Sequence, residues 1–328
     1  MKYFLMNLFG RNPEKMTIKS DKYGKVFLPI YNTGMSFDIK APDIYNKDGE
    51  KMKMFFLRDF HSAHDPYFFN SKYFLMDRFN FGLDTHFYTH NCMLEQEGNP
   101  NKKYGILYES QSIVPNDYLI FQNNPSLYKD FDRIFTYSAK ILDAVPNAAF
   151  VPFQATPWYG RNPDETIDEN LCYQKTKNIS FLSSKKVMCD MHKKRISLAK
   201  KCKTEHLADT YGTFDGGKPA SLASVLKDYR YTIIVENEID DYYFTERLTN
   251  AFLSMTIPIY CGAPKIGKYF NEEGIIKLNL QDFDNIEKIL KNCNEEDYKN
   301  RINAVIDNFN RVQKYKNVFD SMYLEYLK

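Results

Sequence analysis

The sequence of 328 residues has no long apolar run, no excess of either charge and no internal repeat. A membrane-spanning helix needs about 20 consecutive apolar residues, and Met1–Gly10 is too short and too uncharged for a signal peptide. Basic and acidic side chains number 44 and 42, so the concentrated basic face of a nucleic-acid-binding protein is missing. We therefore expect a soluble, cytoplasmic protein that binds no nucleic acid, while peripheral contact with a membrane stays open.

The six cysteines, at positions 92, 172, 189, 202, 261 and 293, show no paired spacing. This is typical of reduced thiols rather than of a disulfide framework. Cys189, His192, Cys202 and His206 lie near one another in the sequence, but their spacing matches no common zinc site, so we predict no metal centre. There is one tryptophan against 25 tyrosines and 26 phenylalanines. These rings suit a sugar-binding cleft, but we attribute their total number to the composition of an AT-rich genome.

The length exceeds the size at which a single hydrophobic core stops growing, so two domains are expected. Gln154–Lys175 contains Pro157, Gly160 and Pro163 and is predicted to be a connecting loop. Beyond it, predicted strands and helices alternate as in a βαβ domain. We predict an N-terminal domain over residues 1–155, a second domain over 156–293, and a helical segment over 294–328 that packs back toward the first.

Residues 229–264 form the most informative segment. A β-branched run ends at Glu236 and Asn237, an acidic loop follows, and a helix then begins after Thr245, whose hydroxyl is a plausible N-cap. A second apolar run comes next, so the segment is a strand–loop–helix–strand unit. In open parallel sheets, ligands bind at the carboxyl ends of the strands.

Two arginines are candidate phosphate ligands. Arg247 lies in the first turn of the predicted helix, where its charge adds to the partial positive charge of the helix N-terminus; a surface ion pair with Glu246 or Asp241 is the alternative. Arg195 falls in the apolar stripe of a helix predicted near Met188–Lys203. A guanidinium on a buried face needs an anionic partner, and either a buried carboxylate or a bound diphosphate meets that need.

The same segment resembles the signature of the glycosyltransferase family 10 α-1,3/4-fucosyltransferases. The matching residues are Glu236, Asn237, Tyr243, Thr245, Glu246, Thr256, Pro258, Ile259 and Gly262. Arg247 stands where the family has Lys; the charge is kept, but the two side chains bind phosphate differently. The identity of the donor sugar is therefore the property that this departure from the family signature affects most.

The resemblance implies a GT-B fold, in which two Rossmann-like α/β domains face each other across a cleft, and a soluble bacterial or viral type of the family. It implies an inverting transfer of L-fucose from GDP-fucose to an N-acetylglucosamine-containing glycan or surface polysaccharide. Arg195 and Arg247 would bind the diphosphate, Glu246 the sugar or ribose, and Glu236, Asn237, Tyr243 and Thr245 would position the donor. No cofactor is required, and a divalent ion would at most stimulate. The alternatives are a relative with another nucleotide sugar and a non-catalytic GDP- or glycan-binding protein.

The candidate base comes from the other domain. Tyr104–Tyr108 is predicted to be a strand, and Glu109 stands at its carboxyl end, where a cleft-facing carboxylate is suited to act as a general base. A solvated turn residue gives the same pattern. The segment resembles the family's Gly-Glu-Asn, whose Glu is the proposed base, with different flanking residues here. Asp84 and Asp59, near predicted strand ends, are the alternative bases.

Overall fold

The computed structural model describes residues 17–20, 24–27, 44–59, 71–78, 80 and 82–328. Met1–Gly10, which is predicted not to be a signal peptide, lies outside the described residues. The strands are β1 (Thr17–Ser20), β2 (Gly24–Phe27), β3 (Lys53–Arg58), β4 (Phe74–Asp77), β5 (Thr85–Thr89), β6 (Lys102–Leu107), β7 (Arg133–Thr136), β8 (Ala148–Phe150), β9 (Lys177–Leu182), β10 (Asp209–Tyr211), β11 (Tyr229–Val235), β12 (Ile257–Cys261) and β13 (Ile276–Lys277).

Two parallel sheets organise the molecule, beside an antiparallel pair of β1 and β2. The first sheet has six strands in the order β4-β3-β5-β6-β7-β8, and every neighbouring pair is parallel. The second has five strands in the order β10-β9-β11-β12-β13, again parallel throughout. All strands of one sheet therefore end at the same edge.

The central strands are apolar because both faces of each sheet are covered. Every residue of β12 is buried, as is every residue of β11 except Arg230. The register pairs Ile233 of β11 with Phe181 of β9 and with Ile259 of β12. This register brings the ends of β9, β11 and β12 together at one edge of the second sheet.

The α-helices are α1 (Ile120–Asn123), α2 (Ala139–Ala144), α3 (Asp190–Thr204), α4 (Glu246–Leu253), α5 (Glu287–Leu290), α6 (Glu295–Asn300), α7 (Ile302–Val312) and α8 (Val318–Tyr326). Helix α4 buries Leu248, Ala251 and Phe252 as the sequence spacing predicts. It also buries Thr249 and Asn250, whose side chains bind the backbone of the segment that joins the two sheets. None of the helices in the part of the chain that the structure describes has the length and apolar character to cross a membrane.

The last helix lies against the first sheet. Tyr323 of α8 stacks on Tyr73 with ring centroids 5.0 Å apart, and Tyr326 packs 5.3 Å from Phe135. An Asp320 carboxylate oxygen accepts a hydrogen bond from the Lys72 amide at 2.9 Å. The chain thus crosses from the first sheet to the second and returns to the first.

The carboxyl edges of the two sheets face each other. Ser110 follows β6 of the first sheet and bonds Glu238, which follows β11 of the second, at 2.8 Å. The amide of Ala139 at the start of α2 donates to the Asp240 carboxylate at 3.2 Å. Loops from the ends of both sheets therefore meet, and Glu109, Glu236 and Asn237 belong to these loops. Arg195 lies on α3, and Arg247 lies in the first turn of α4.

Candidate active site

Glu236 fixes the start of helix α4 at the end of β11. Its side chain is fully buried; Oε1 accepts from the Thr245 amide at 2.9 Å and Oε2 from the Thr245 hydroxyl at 2.8 Å. The Thr245 hydroxyl in turn accepts from the Arg247 amide at 3.3 Å, which confirms Thr245 as the N-cap. Glu236 thus turns inward and positions the residues around the candidate donor site.

Burial dominates the electrostatics of Glu236. Loss of water raises the pKa of this carboxyl to about 7, although the nearby Arg247 guanidinium lowers it. The Arg247 Nη1 atom lies 3.9 Å from Glu236 Oε2 and 3.8 Å from Glu246 Oε1. Burial alone would lower the pKa of Arg247, but these two carboxylates raise it above its ordinary value. Arg247 is therefore a permanent cation at the N-terminus of α4.

Arg195 is the second cation. It is buried on α3, and its Nη1 donates to the carbonyl of Val235 at 2.8 Å and to Asn237 Oδ1 at 3.1 Å. Within the described residues no carboxylate forms an ion pair with it. Burial and the charge of Arg247 lower the pKa of Arg195 to about 10, so it stays charged at neutral pH.

His192 and Asn237 orient this guanidinium. His192 Nδ1 accepts from the Met188 amide at 3.0 Å, so the neutral ring carries its proton on Nε2 and donates it to Asn237 Oδ1 at 2.8 Å. Burial and the charge of Arg195 lower the pKa of His192, which favours this neutral form. Asn237 therefore acts here by holding Arg195.

A cavity of about 390 Å³ lies between α4, the ends of β9 and β11, and the loop after β10. The charged residues that line it are Arg195, Glu246 and Arg247. The apolar residues that line it include Trp158, Pro219, Ala220, Leu222 and Leu226. A cavity with both cationic and apolar lining residues suits a ligand that joins an anionic group to a flat ring.

The backbone at Trp158 is fixed by hydrogen bonds, although the residue is exposed. The amides of Trp158 and Tyr159 both donate to Asn250 Oδ1, at 2.7 and 2.8 Å. The side chain is 51% exposed and lines the cavity. The sequence offered no pattern that marks it, because its place beside α4 depends on contacts between segments 92 residues apart.

Tyr243 lies at the junction of the two sheets. Its ring is buried against that of Tyr137 with centroids 4.7 Å apart, and its hydroxyl has no hydrogen-bond partner among the described residues. Its carbonyl accepts from the Tyr260 hydroxyl at 3.3 Å. The predicted contact of Tyr243 with a donor stays a prediction.

Glu109 is half-buried two residues after β6. Its Oε1 accepts from the Ser110 amide at 2.8 Å and from Gln154 Nε2 at 3.2 Å. The Glu109 amide donates to His90 Nε2 at 3.1 Å, and His90 Nδ1 lies 3.2 Å from an Asp117 carboxylate oxygen. Glu109 is not among the residues that line the cavity, so its role as base stays a prediction.

The two alternative bases lie at opposite edges of the first sheet. Asp59 follows β3 at the carboxyl edge and accepts from the Thr89 hydroxyl at 2.9 Å. Asp84 directly precedes β5 and accepts from Asn101 at 3.1 Å, so it lies at the amino edge, away from Glu109. Asp84 thus lies near a strand end as predicted, but at the edge opposite the candidate site, so the structure does not support it as an alternative base.

No group of three or more His, Cys, Asp and Glu side chains able to hold a metal is found across residues 44–59, 71–78, 80 and 82–328. His192 and Cys202 are both buried, and the His192 ring forms a hydrogen bond with Asn237. The cationic groups at the cavity are therefore the two arginines.

Comparisons with known proteins show which family the second half of the chain resembles. Residues 172–317 match the family described as glycosyltransferase family 10 (fucosyltransferase) C-term. This segment is therefore similar to the C-terminal part of that family's proteins. It is 35% identical over 65 residues to the alpha-(1,3)-fucosyltransferase FucT of Helicobacter pylori and 24% identical over 168 residues to the alpha-(1,3)-fucosyltransferase C of Drosophila melanogaster. These matches cover 20% and 48% of this chain, and 13% and 38% of those proteins.

The fold is shared with solved family structures. An α1,3-fucosyltransferase crystallised with GDP-fucose superposes with a TM-score of 0.50 at 15% identity, over 84% of this chain and 91% of that one. The predicted GT-B arrangement is confirmed, because two parallel α/β sheets face each other with their carboxyl edges. The family signature falls on β11, α4 and β12, at the edge where the cavity lies.

Glu236→Gln tests the buried carboxyl. Because burial raises the pKa of Glu236 from 4.5 to about 7, the folded protein retains a proton there that the unfolded chain releases. The stabilising contribution of the neutral carboxyl is therefore complete below its unfolded pKa and is lost as the pH rises to about 7. As the pH rises from about 5 to about 7.5, the free energy of unfolding should decrease in the wild type. In the amide variant this decrease should be smaller by about 1–3 kcal/mol.

Urea unfolding at each pH measures this difference. Glu296→Gln, which removes an exposed carboxyl, is the matched control and should follow the wild-type curve. Parallel pH curves for the wild type and Glu236→Gln would show that Glu236 is already ionised at low pH.

Proposed function

We propose that this protein is an inverting glycosyltransferase that moves L-fucose from GDP-fucose to a hydroxyl of a glycan. The carrying observation is the pair of cations that line the cavity. Arg195, buried without an ion-pair partner among the described residues, faces the same space as Arg247 and the N-terminus of α4. A diphosphate offsets the cost of holding the buried Arg195 beside a second, partly exposed cation. The α1,3-fucosyltransferase of the same fold was crystallised with GDP-fucose, which supports this donor.

The proposed reaction is a single displacement. Glu109 removes the proton of the acceptor hydroxyl, and that oxygen forms a bond to the anomeric carbon while the bond to the GDP oxygen breaks on the opposite face. Arg195, Arg247 and the start of α4 stabilise the negative charge that develops on the diphosphate. Glu246 contacts the sugar or the ribose. The arginines supply the charge that a metal ion would otherwise provide, so no cofactor is required, and a divalent ion is at most an activator.

The nucleobase is proposed to lie against the apolar residues of the cavity lining. Trp158 offers an exposed ring there, and its backbone is held by Asn250, which also lines the cavity. Pro219, Leu222 and Leu226 form other parts of the lining. An aromatic face stacks on a purine ring without a large entropic cost when its backbone is already fixed.

The acceptor class follows from the family alone. An N-acetylglucosamine-containing glycan or a surface polysaccharide is the proposed acceptor, and the loops at the carboxyl edge of the first sheet would bind it. Glu109 belongs to one of these loops, which supports its proposed role on the acceptor side of the cleft.

Arg195→Ala should weaken GDP binding about 10- to 100-fold, because a hydrogen-bonded cation contributes roughly 1.5–3 kcal/mol. Calorimetric titration with GDP measures the effect. Lys194→Ala removes the neighbouring exposed cation of the same helix and should bind GDP as the wild type does. Equal affinities for Arg195→Ala and Lys194→Ala would show that Arg195 only supports the fold.

Trp158 provides a spectroscopic test, since it is the only tryptophan of the chain. GDP should quench its fluorescence, and Trp158→Ala should weaken GDP binding about 5- to 100-fold because base stacking contributes roughly 1–3 kcal/mol. Trp158→Phe, which retains an aromatic face, should recover most of the affinity. If inorganic pyrophosphate quenches as strongly as GDP, the nucleobase does not lie on this ring.

Glu109→Gln tests the base and the reaction together. With GDP-fucose and a panel of N-acetylglucosamine-containing oligosaccharides, the wild type should release GDP and form a fucosylated product. The variant should turn over about 10²- to 10⁴-fold more slowly, the usual contribution of a general base, with unchanged GDP affinity. Asn116→Ala, an exposed change in the turn that follows, should leave turnover unchanged. Transfer from a UDP-sugar but not from GDP-fucose would contradict the donor, and full activity of Glu109→Gln would contradict the base.

A further inference from the structure

The loop between β11 and α4 carries a buried carboxylate that the donor site does not use. Glu238 is 8% exposed and is absent from the cavity lining. No cation forms an ion pair with it in the part of the chain that the structure describes. A buried carboxylate held only by neutral donors is costly, so its contacts need an explanation.

All of these contacts reach the first sheet. Glu238 Oε2 accepts from the Ser110 hydroxyl at 2.8 Å, from the Tyr137 hydroxyl at 2.9 Å and from the Ser112 amide at 3.2 Å. Ser110 and Glu238 are separated by 128 positions in the sequence. One oxygen of the second domain thus gathers three donors from two loops of the first.

These donors belong to the turn that carries Glu109. The Ser110 amide donates to Glu109 Oε1 at 2.8 Å while the Ser110 hydroxyl donates to Glu238. The Gln111 amide donates to the Tyr137 hydroxyl at 2.8 Å, and that hydroxyl bonds Glu238. Residues 110–112 are therefore all fixed, directly or through Tyr137, to Glu238.

The other neighbours of Glu238 belong to the donor side. Asn237, the preceding residue, holds the Arg195 guanidinium, and the same loop leads to Thr245 and the start of α4. Arg195 and the Glu109 turn are thus attached to adjacent residues of one loop. A displacement of Glu238 would move one half of the site relative to the other.

We propose that Glu238 is a positioning residue that sets the Glu109 carboxylate relative to the donor site by holding residues 110–112. The inference rests on the proposed function, because it takes Glu109 as the base. Asp240 provides a matched comparison: it bridges the same two domains through the Ala139 amide but contacts none of residues 110–112.

Glu238→Gln and Asp240→Asn separate positioning from simple domain contact. Glu238→Gln should lower kcat about 10- to 100-fold, because a misplacement of roughly 1 Å costs about that much, with unchanged GDP affinity and acceptor KM. Asp240→Asn should change kcat less than about threefold. A loss of kcat as large in Asp240→Asn as in Glu238→Gln would overturn the proposal, and so would a parallel loss of GDP affinity in Glu238→Gln.

Double-mutant cycles show through which group Glu238 acts. Ser110→Ala and Glu238→Gln should combine with less than the sum of their effects on kcat, since both break one contact. In a Glu109→Gln background, Glu238→Gln should cause no further loss of the residual rate. Additive losses in that background would overturn the proposal. Ser110→Ala removes a single hydrogen bond and provides the same comparison where Glu238→Gln lowers the yield of folded protein.

The outcomes distinguish this proposal from the function on which it rests. Full transfer activity in Glu109→Gln would reject Glu109 as the base. A severe loss in Glu109→Gln with wild-type kcat in Glu238→Gln would keep the base and reject the positioning role.

Discussion

The two hydrogen bonds from Thr245 to Glu236 determine the geometry on which the candidate site depends. They join the end of β11 to the start of α4, so the helix begins at a fixed distance from the sheet edge. Glu246 and Arg247 then enter the cavity from the first turn of that helix. An exposed capping side chain would leave the helix start free to move with the acidic loop. A buried carboxylate does not, because both of its oxygens would lose their donors together.

This arrangement brings the buried Arg195 and the partly exposed Arg247 to one cavity. Arg247 lies near Glu236 and Glu246 at distances longer than a hydrogen bond, and Arg195 is held by a carbonyl and an amide oxygen. Neither arginine is neutralised by close bidentate pairing, and the charge of Arg247 lowers the pKa of both Arg195 and Glu236. An anion that enters the cavity therefore meets the buried and already oriented Arg195 beside the partly exposed Arg247. Electrostatic stabilisation is strongest under these conditions, because no reorganisation is needed when charge develops.

The sequence predicted the second domain better than the first for a physical reason. β11, α4 and β12 are adjacent in the chain and carry clear periodicity, and Thr245 as N-cap and Arg195 on a buried helix face follow from local spacing. The inward orientation of Glu236 does not, since the same Glu-Asn pair at a strand end is equally compatible with a side chain that faces a ligand. Asp84 shows a second limit: it lies near a strand end as predicted, but at the amino end of β5 and therefore away from the carboxyl edge.

Contacts between the two domains were beyond any local pattern. Glu238, Asp240 and Trp158 take their positions from partners 92 to 128 residues away. Nothing in the sequence of the acidic loop distinguishes Glu238 from Asp241, which forms an exposed ion pair with Lys265. The difference arises only when the two sheets face each other. A GT-B enzyme draws its acceptor residues from one domain and its donor residues from the other, so alignment across the cleft must be maintained by groups from both. Apolar packing through α8 holds the domains together but is non-directional. Hydrogen bonds to a buried carboxylate are directional, and their loss costs more when water cannot replace them, which is why the loop that carries Asn237 and Glu238 is suited to hold both halves of the site in register.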